Sequence, residues 1–426
     1  MKLNKNNYRI AIIGLGYVGL PLAIEFGKKF DTIGYDSNNK RINYLLKGID
    51  QNNEIKNKII KRSKKLLLTN DVEKINQCNY FIITVPTPIY NNKKPNLKFI
   101  INATKLVAKK IKKNDTVIYE STVFPGTTEE ICVPILEKIS KLKHNKDFFT
   151  GYSPERINPG DSKHTLTKIK KVISGSNPKI ANKINLLYRS IIKAGTFKAP
   201  SIKVAESAKV IENTQRDINI AFINELSIIF NKLNIDTNEV LKAAKTKWNF
   251  MSFNPGLVGG HCIGVDPYYL SDKAKSVGYN PEIILAGRKI NDSMGKYIAN
   301  QIKKILKKNK IKLENKTRIL ILGIAFKENC SDIRNTKVID IYKNLNKLRV
   351  NVDITDPYVN KDEVRFEYGI NLLSYKKIRY NNYKIIIHAV NHSKFKKINF
   401  TKLKKNGCLI YDVKSTLPIN SINYRL

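Results

Sequence analysis

The sequence predicts an α/β protein: two doubly wound, parallel-sheet domains joined by a central helical region that carries a long connecting helix. Three observations predict it. A short apolar strand near the start runs straight into the glycine turn Gly14-Leu15-Gly16-Tyr17-Val18-Gly19. A second strand-and-glycine unit, Thr317 to Lys327, opens the last part of the chain. Between them, apolar residues from Ala205 to Leu233 recur at helical spacing on more than one face.

The chain of 426 residues is long enough for two to three domains with sizeable cores. It is 42% hydrophobic and 26% charged, a balance typical of globular proteins. The 77 basic and 35 acidic residues leave a net charge of +42. A nucleic-acid surface would gather that charge in one patch laced with aromatics. Here lysine is scattered through every segment beside frequent Asn and Ile, so the charge reads as compositional drift and no nucleic-acid partner is expected. Five cysteines, widely spaced and without a CxxC pair, argue against both a disulfide framework and a zinc site. No signal peptide precedes the first strand, and no apolar run approaches roughly 18 residues. A reducing cytoplasm and no membrane insertion are the expectation.

Tyr8 to Ile13 is β-branched and apolar, as a strand buried on both faces should be. The G-x-G-x-x-G turn follows it and leads into the helical pattern Leu20 to Phe26. A second strand, Thr32 to Tyr35, ends at Asp36, about 20 residues past the motif, as a dinucleotide site requires. The glycines bring backbone and helix N-terminus against a pyrophosphate. Asp36 can accept both ribose hydroxyls and would repel a 2′-phosphate, which favours NAD over NADP. This is a Rossmann-like fold. Further strands are expected at Tyr80–Val85, Thr116–Glu120 and Phe148–Tyr152, with a helix over Phe99–Lys112 between the first two.

In such sheets ligands sit outside the carboxyl ends of the strands. Thr87, Thr122 and Glu155 all fall there. The two threonines serve either a ligand or ordinary loop capping. Glu155 serves either as a general base or in a surface ion pair with Arg156.

The helix from Ala205 to Leu233 carries Lys209 and Asn213 one turn apart, an ammonium and an amide on one face. They either face a site or form a solvated pair. A helix apolar on several sides is buried between domains or subunits, so it is expected to connect and to dimerise. Thr237-Asn238-Glu239 resembles a helix cap, and a further helix is expected around Ala286–Ile305. After the long helix and the Thr237 cap comes Asn254-Pro255-Gly256-Leu257-Val258-Gly259-Gly260-His261-Cys262-Ile263-Gly264-Val265-Asp266. Glycines let backbone and ligand approach the thiol closely, and the stretch reads either as a cysteine nucleophile on a rigid loop or as a buried structural cysteine. Polar, lysine-rich Asn309–Lys316 is a linker. Strands at Val350–Ile354, Lys384–Ala389 and Cys408–Asp412 complete a smaller α/β domain without the full glycine motif.

Together the Gly14–Gly19 fingerprint, the Lys209/Asn213 helix, the Gly259-Gly260-His261-Cys262 loop and Ala325-Phe326-Lys327-Glu328-Asn329 through Arg334 resemble the UDP-glucose/GDP-mannose dehydrogenase family across essentially the whole chain. Glu120–Thr128, Ser153–Asp161 and Lys247–Phe250 resemble more narrowly its branch that oxidises UDP-N-acetylhexosamines. UDP-glucose dehydrogenases carry a Pro-Glu-Phe-Leu type sequence where this chain has Pro154-Glu155-Arg156-Ile157. The resemblance implies two-step, NAD-dependent oxidation of a C6 alcohol to a carboxylate, feeding capsular or O-antigen polysaccharide synthesis. It implies Cys262 as the nucleophile, with Lys209, Asn213, Asp266, Glu155 and Thr122 as the rest of the catalytic set. It implies a cofactor site of Gly14, Gly16, Tyr17, Val18, Gly19, Asp36, Arg41, Thr87 and Thr122, with Arg334 reaching back from the last domain. The sugar nucleotide would meet Glu155, Arg156, Lys209, Asn213, Gly259 and Lys327. Expected boundaries are 1–196 for the NAD-binding domain, 197–308 for the helical dimerisation domain and 309–426 for the sugar-nucleotide domain, in a homodimer or higher homo-oligomer without a metal.

Overall fold

The computed structural model describes residues 8–52, 55, 57–60, 63–157 and 164–426. Residues 158–161 of the Ser153–Asp161 segment therefore lie outside the described part. Two compact units emerge: one holds the chain up to Glu212 together with Tyr268–Tyr279, the other holds Asn213–Pro267 and Asn280–Leu426.

The first unit is built on eight strands: β1 (Arg9–Ile13), β2 (Asp31–Tyr35), β3 (Leu66–Thr69), β4 (Tyr80–Ile83), β5 (Thr116–Tyr119), β6 (Phe149–Tyr152), β7 (Lys171–Gly175) and β8 (Thr196–Lys198). Their order in the sheet is β3-β2-β1-β4-β5-β6-β7-β8, parallel throughout except that β7 runs antiparallel to β6. Helices α1 (Gly19–Gly27), α2 (Asn39–Leu46), α3 (Asn57–Ile60), α4 (Lys98–Ala108), α5 (Val133–Ser140) and α6 (Pro178–Arg189) lie between the strands in the chain. Period-2 alternation sends Ile10, Ile12, Ile82 and Ile118 into one apolar cluster and Ala11, Ile13, Ile83 and Val117 into another. Both faces are buried, which is why the strands read as continuous apolar runs. Helix α4 stops at Ala108, short of the Lys112 expected, where the chain turns toward Asp115, whose carboxylate accepts from Lys112 N at 2.7 Å.

Helix α7 (Ile202–Lys232) runs 31 residues, and the division between the units falls within it. It is followed by α8 (Thr237–Ala244), α9 (Asp266–Ser276) and α10 (Glu282–Lys308). The cap of α8 is Asp236, whose carboxylate accepts from the N–H groups of Asn238 and Glu239, not the Thr237 stretch itself. In the second unit β9 (Arg318–Leu322), β10 (Asn351–Thr355), β11 (Ile385–His388), β12 (Leu409–Asp412) and β13 (Tyr424–Arg425) form a parallel sheet in the order β10-β9-β11-β12-β13. Around it lie α11 (Val338–Asn346), α12 (Lys361–Tyr368) and α13 (Phe400–Lys405). Ile319 and Ile321 face one core, Leu320 and Leu322 the other.

Candidate active site

The glycine turn is shaped for a dinucleotide. Gly14 has φ +96°, and a Cβ on Gly19 would stand 1.8 Å from the Gly14 carbonyl oxygen. A Cβ on Gly16 would meet nothing within 4 Å, so the turn is packed at its ends and open at its centre. Thr84, which the sequence did not single out, donates its hydroxyl to Gly14 O at 2.7 Å and fixes the turn against β4. No side chain caps α1, whose first residues follow Tyr17 and Val18. Asp36, half-buried at the end of β2, accepts from Leu15 N at 2.8 Å and Asn38 N at 2.9 Å. Arg41 is buried, donates Nε to Leu15 O at 3.0 Å and pairs with Asp50 at 2.8 Å, so it braces the turn from behind. These residues fit an NAD: a cradle that only glycine leaves open, beside an acid placed for a ribose.

At the carboxyl ends of β4, β5 and β6 the same unit presents Thr87, Thr122 and Glu155. Both threonines are partly exposed, and Glu155 is buried. The Glu155–Arg156 ion pair does not form. Arg156 instead pairs with Glu212 at 2.8 Å. Oε1 of Glu155 accepts from the N–H groups of Arg156 and Ile157 at 2.6 and 2.7 Å, and Oε2 lies 2.9 Å from Lys171 Nζ. Lys171 also reaches Glu120 at 2.7 Å, and Tyr188 donates its hydroxyl to the other oxygen of Glu120. Burial pushes the Glu120 carboxyl up to about 7 against the pull of Lys171. Burial pulls Lys171 down, but Glu120 and then Glu155 outweigh it and hold its ammonium above the usual value. Sequence reasoning missed Lys171 and Glu120; a lysine at the head of an apolar strand was the one available signal. Lys209 is buried on α7, and no carboxylate among the described residues pairs with it.

The second unit carries the cysteine loop. The thiols of Cys78, Cys132 and Cys408 are pushed up to about 12 by burial. Cys330 is buried as well, and Cys262 alone of the five cysteines is only half-buried. That disfavours the buried structural reading. The Cys262 carbonyl accepts from Val265 N at 3.0 Å and Asp266 N at 2.8 Å, closing a tight turn directly ahead of α9. Asp266, the first residue of α9, is buried and accepts from Asn213 Nδ2 at 2.6 Å. Two residues 53 apart in sequence thus meet, while Asn213 and Lys209 remain one turn apart on α7.

The loop is held by contacts the sequence did not announce. The side-chain amide of Asn224, on α7, donates to Gly256 O at 3.0 Å and accepts from Gly256 N at 2.8 Å. Asn291 accepts from Asn224 and donates to Asp217, which pairs with Arg288 at 2.6 Å. Further along, a Cβ on Gly260 would lie 2.9 Å from the Phe326 ring, and one on Gly259 would lie 2.9 Å from Asn335 O. Gly259 and Gly260 therefore let the loop press against residues 326–336. That segment carries Lys327, with Nζ 5.6 Å from the centroid of its neighbour's ring, and Arg334, which clasps Asp332 at 2.5 Å. Among the described residues no group of three or more metal-ligating side chains gathers, and no helix is long and apolar enough to cross a membrane.

A dinucleotide turn, a second nucleotide-type domain and a half-buried thiol on a glycine loop define an NAD-dependent dehydrogenase. Family models match the chain in three consecutive stretches: the NAD binding domain at 8–192, the central domain at 203–293 and the UDP binding domain at 320–418. The chain belongs to the UDP-glucose/GDP-mannose dehydrogenase family, and its substrate class is a nucleotide sugar. It is 54% identical over 421 residues to a UDP-N-acetyl-D-glucosamine 6-dehydrogenase of Salmonella typhi, covering 98% of each chain. It is equally 54% identical to a protein of the same name from Pseudomonas aeruginosa, over 98% of this chain and 99% of that one. A solved UDP-D-ManNAc dehydrogenase from Pyrococcus horikoshii superposes with a TM-score of 0.87 at 31% identity, over 98% of each chain.

Proposed function

We propose that this protein oxidises C6 of a UDP-N-acetylhexosamine, UDP-GlcNAc or UDP-GalNAc, to the uronic acid through a covalent intermediate on Cys262. The observation that carries the chemistry is the half-buried Cys262 on a loop pinned at both ends, beside the Asn213–Asp266 pair. The sugar assignment rests on the 54% identity to two proteins named UDP-N-acetyl-D-glucosamine 6-dehydrogenase and on the segments at Glu120–Thr128 and Lys247–Phe250. The uronic acid product suits capsular or O-antigen polysaccharide.

Gly14, Gly16, Tyr17, Val18, Gly19, Asp36, Thr87 and Thr122 would hold NAD, with Arg41 bracing the turn and Arg334 as a further contact. NAD+ would supply the hydride acceptor, a fresh molecule for each of the two oxidations, so that one alcohol, two NAD+ and one water would yield one carboxylate, two NADH and three protons. Cys262 sulfur adds to the C6 aldehyde and holds the carbon as a thiohemiacetal, then as a thioester. Lys209 and Asn213, a buried cation and a buried amide donor, stabilise the oxyanion that forms when sulfur adds. Asp266 orients Asn213 and exchanges protons with a water there. Glu155 assists the attack of water on the thioester, and Thr122 orients that water. Arg156, Gly259 and Lys327 contact the sugar nucleotide. The division at 1–196, 197–308 and 309–426 belongs to the same reading.

Helix α7 supports a homodimer or higher homo-oligomer. Val204, Ile211, Phe222 and Ile229 are large, apolar and exposed, and they succeed one another at intervals of 7, 11 and 7 residues. At 3.6 residues per turn those intervals return to one stripe. A homodimer built on that stripe removes it from water.

The test measures NADH release with UDP-GlcNAc, UDP-GalNAc, UDP-ManNAc, UDP-glucose and GDP-mannose in parallel. The expected result is preference for an N-acetylglucosamine or N-acetylgalactosamine substrate with two NADH per sugar; preference for UDP-glucose overturns the sugar assignment. In Cys262→Ser, steady NADH production is expected to fall by at least about 10³-fold with sugar-nucleotide binding retained, the scale seen when a nucleophile is removed.

A further inference from the structure

We infer that Lys171, braced by Glu120, is a positioning residue that fixes the Glu155 carboxylate for the water-consuming step. The inference rests on the role given to Glu155 above. In that step a C–O bond forms between water and the thioester carbon and the C6–S bond breaks. The electron pair returns to Cys262 sulfur and two protons leave, the first through Glu155.

The topology makes the arrangement. β5 and β6 are parallel, so Glu120 and Glu155 both emerge at the carboxyl ends of their strands. β7 is antiparallel to β6, with Gly151 opposite Gly175 and Tyr152 opposite Ser174. Continuing that register puts Lys171 level with Glu155. An antiparallel strand begins where its neighbour ends, so β7 can deliver a side chain to this edge from its first residue.

Lys171 is 2% exposed, Glu120 1% and Glu155 7%. Its ammonium bridges the two carboxylates at 2.7 and 2.9 Å, with its Nζ 5.7 Å from the Tyr188 ring centroid. A buried charge cluster is a weak source of stability, because desolving each ion offsets the attraction, and an apolar replacement is often neutral or stabilising. Stability alone gives little reason for the cluster. Geometry gives one. Glu155 takes two backbone N–H groups on Oε1 and Lys171 on Oε2. A carboxylate has about four acceptor sites, so among the described residues one site on Oε2 is left, in an orientation the other three contacts fix. That site suits a single water. Glu120 reaches neither backbone donor; its contacts are Lys171 and Tyr188, so its part is to hold the lysine.

The experiment uses the full-length enzyme with its sugar nucleotide and NAD, following rapid NADH release and the intact mass of the protein. In Lys171→Met the expected result is a burst of NADH, a steady rate lower by about 10²-fold, the scale of a misplaced reacting group, and a Cys262-linked acyl adduct in the mass spectrum. Lys171→Arg is expected to recover part of the rate and to lose the adduct. If Lys171→Met does not fold, Glu120→Gln decides in its place, with the same burst and adduct at a smaller loss of rate. An unchanged rate, or a slow rate without burst and adduct, overturns the inference. Glu155→Gln runs beside them. If it accumulates the adduct while the lysine variant does not, the positioning role alone falls; if it too shows no adduct, the role of Glu155 falls and the inference with it.

Discussion

The two nucleotide folds begin alike and part at one carboxylate. In each, a glycine after the first strand has positive φ, +96° at Gly14 and +92° at Gly323. In each, its N–H donates at 2.8 Å to the last carbonyl of the neighbouring strand, Tyr35 O or Thr355 O. Each neighbouring strand then ends in an acid, Asp36 or Asp356. Beyond that they differ. α1 starts at Gly19, but the chain after Gly323 runs through a loop and α11 starts only at Val338. Asp36 is half-buried with one backbone donor on each oxygen. Asp356 is buried and saturated: Ile324 N, Ala325 N and His392 Nε2 all lie on Oδ2, with Tyr358 N on Oδ1. Asn329 N–H donates to Nδ1 of His392, which puts that ring's proton on Nε2, facing Asp356. Among the described residues the first acid keeps acceptor capacity on both oxygens, and the second is consumed by its own loop. A shared fold therefore does not carry a shared ligand; a dinucleotide needs the acid and the helix start together.

The largest effect that would test this contrast is on stability. Asp356→Ala leaves several buried donors without an acceptor and is expected to lower unfolding free energy by about 3–5 kcal/mol, read as a shift of the urea midpoint, while the KM for NAD stays put in the folded fraction. Next comes Asp36→Ala, expected to raise the KM for NAD about 10- to 100-fold, the loss of about 1.5–3 kcal/mol of charged hydrogen bonding to a ribose. Its urea midpoint should move less, because only Leu15 N–H loses its acceptor away from full exposure; an Asp36 variant as unstable as the Asp356 variant would erase the distinction. The smallest effect is on pH. Burial alone would raise Asp356, but His392 and the backbone donors hold its carboxyl below the usual range. A carboxyl lowered by folding contributes stability above its unfolded value, near about 4, and loses it as pH falls through the native value. The stability gap between wild type and Asp356→Asn is thus expected to narrow below about pH 4, with a slope of at most about 1.4 kcal/mol per pH unit for one proton.

What the sequence determined by itself is what local spacing encodes. Strand, glycine turn, helix and Asp36 lie within about one supersecondary unit, and backbone sterics at Gly14 and Gly19 leave few alternatives. The cysteine loop was legible for the same reason, its glycines and Cys262 being neighbours in the chain. The 3.6-residue period announced α7, although the turn from Lys112 to Asp115 had to be seen in place to end α4 at Ala108. What only the tertiary structure decided are the partners brought from far away. Glu155 was free in sequence to pair with adjacent Arg156; the register of β7 against β6 gave it Lys171 instead, 16 residues off, and gave Lys171 Glu120, 51 residues off. β3, β7, β8 and β13 were not foreseen, and with β7 went the antiparallel step that builds this cluster. The Asn224 clamp on Gly256 spans 32 residues and turns on which face of α7 is buried. Asp356 reads in sequence much like Asp36, and only the fold brings His392 across to fill it. Composition and period fix which faces are apolar, but strand register and helix facing fix which polar groups meet, and those depend on the whole packed chain.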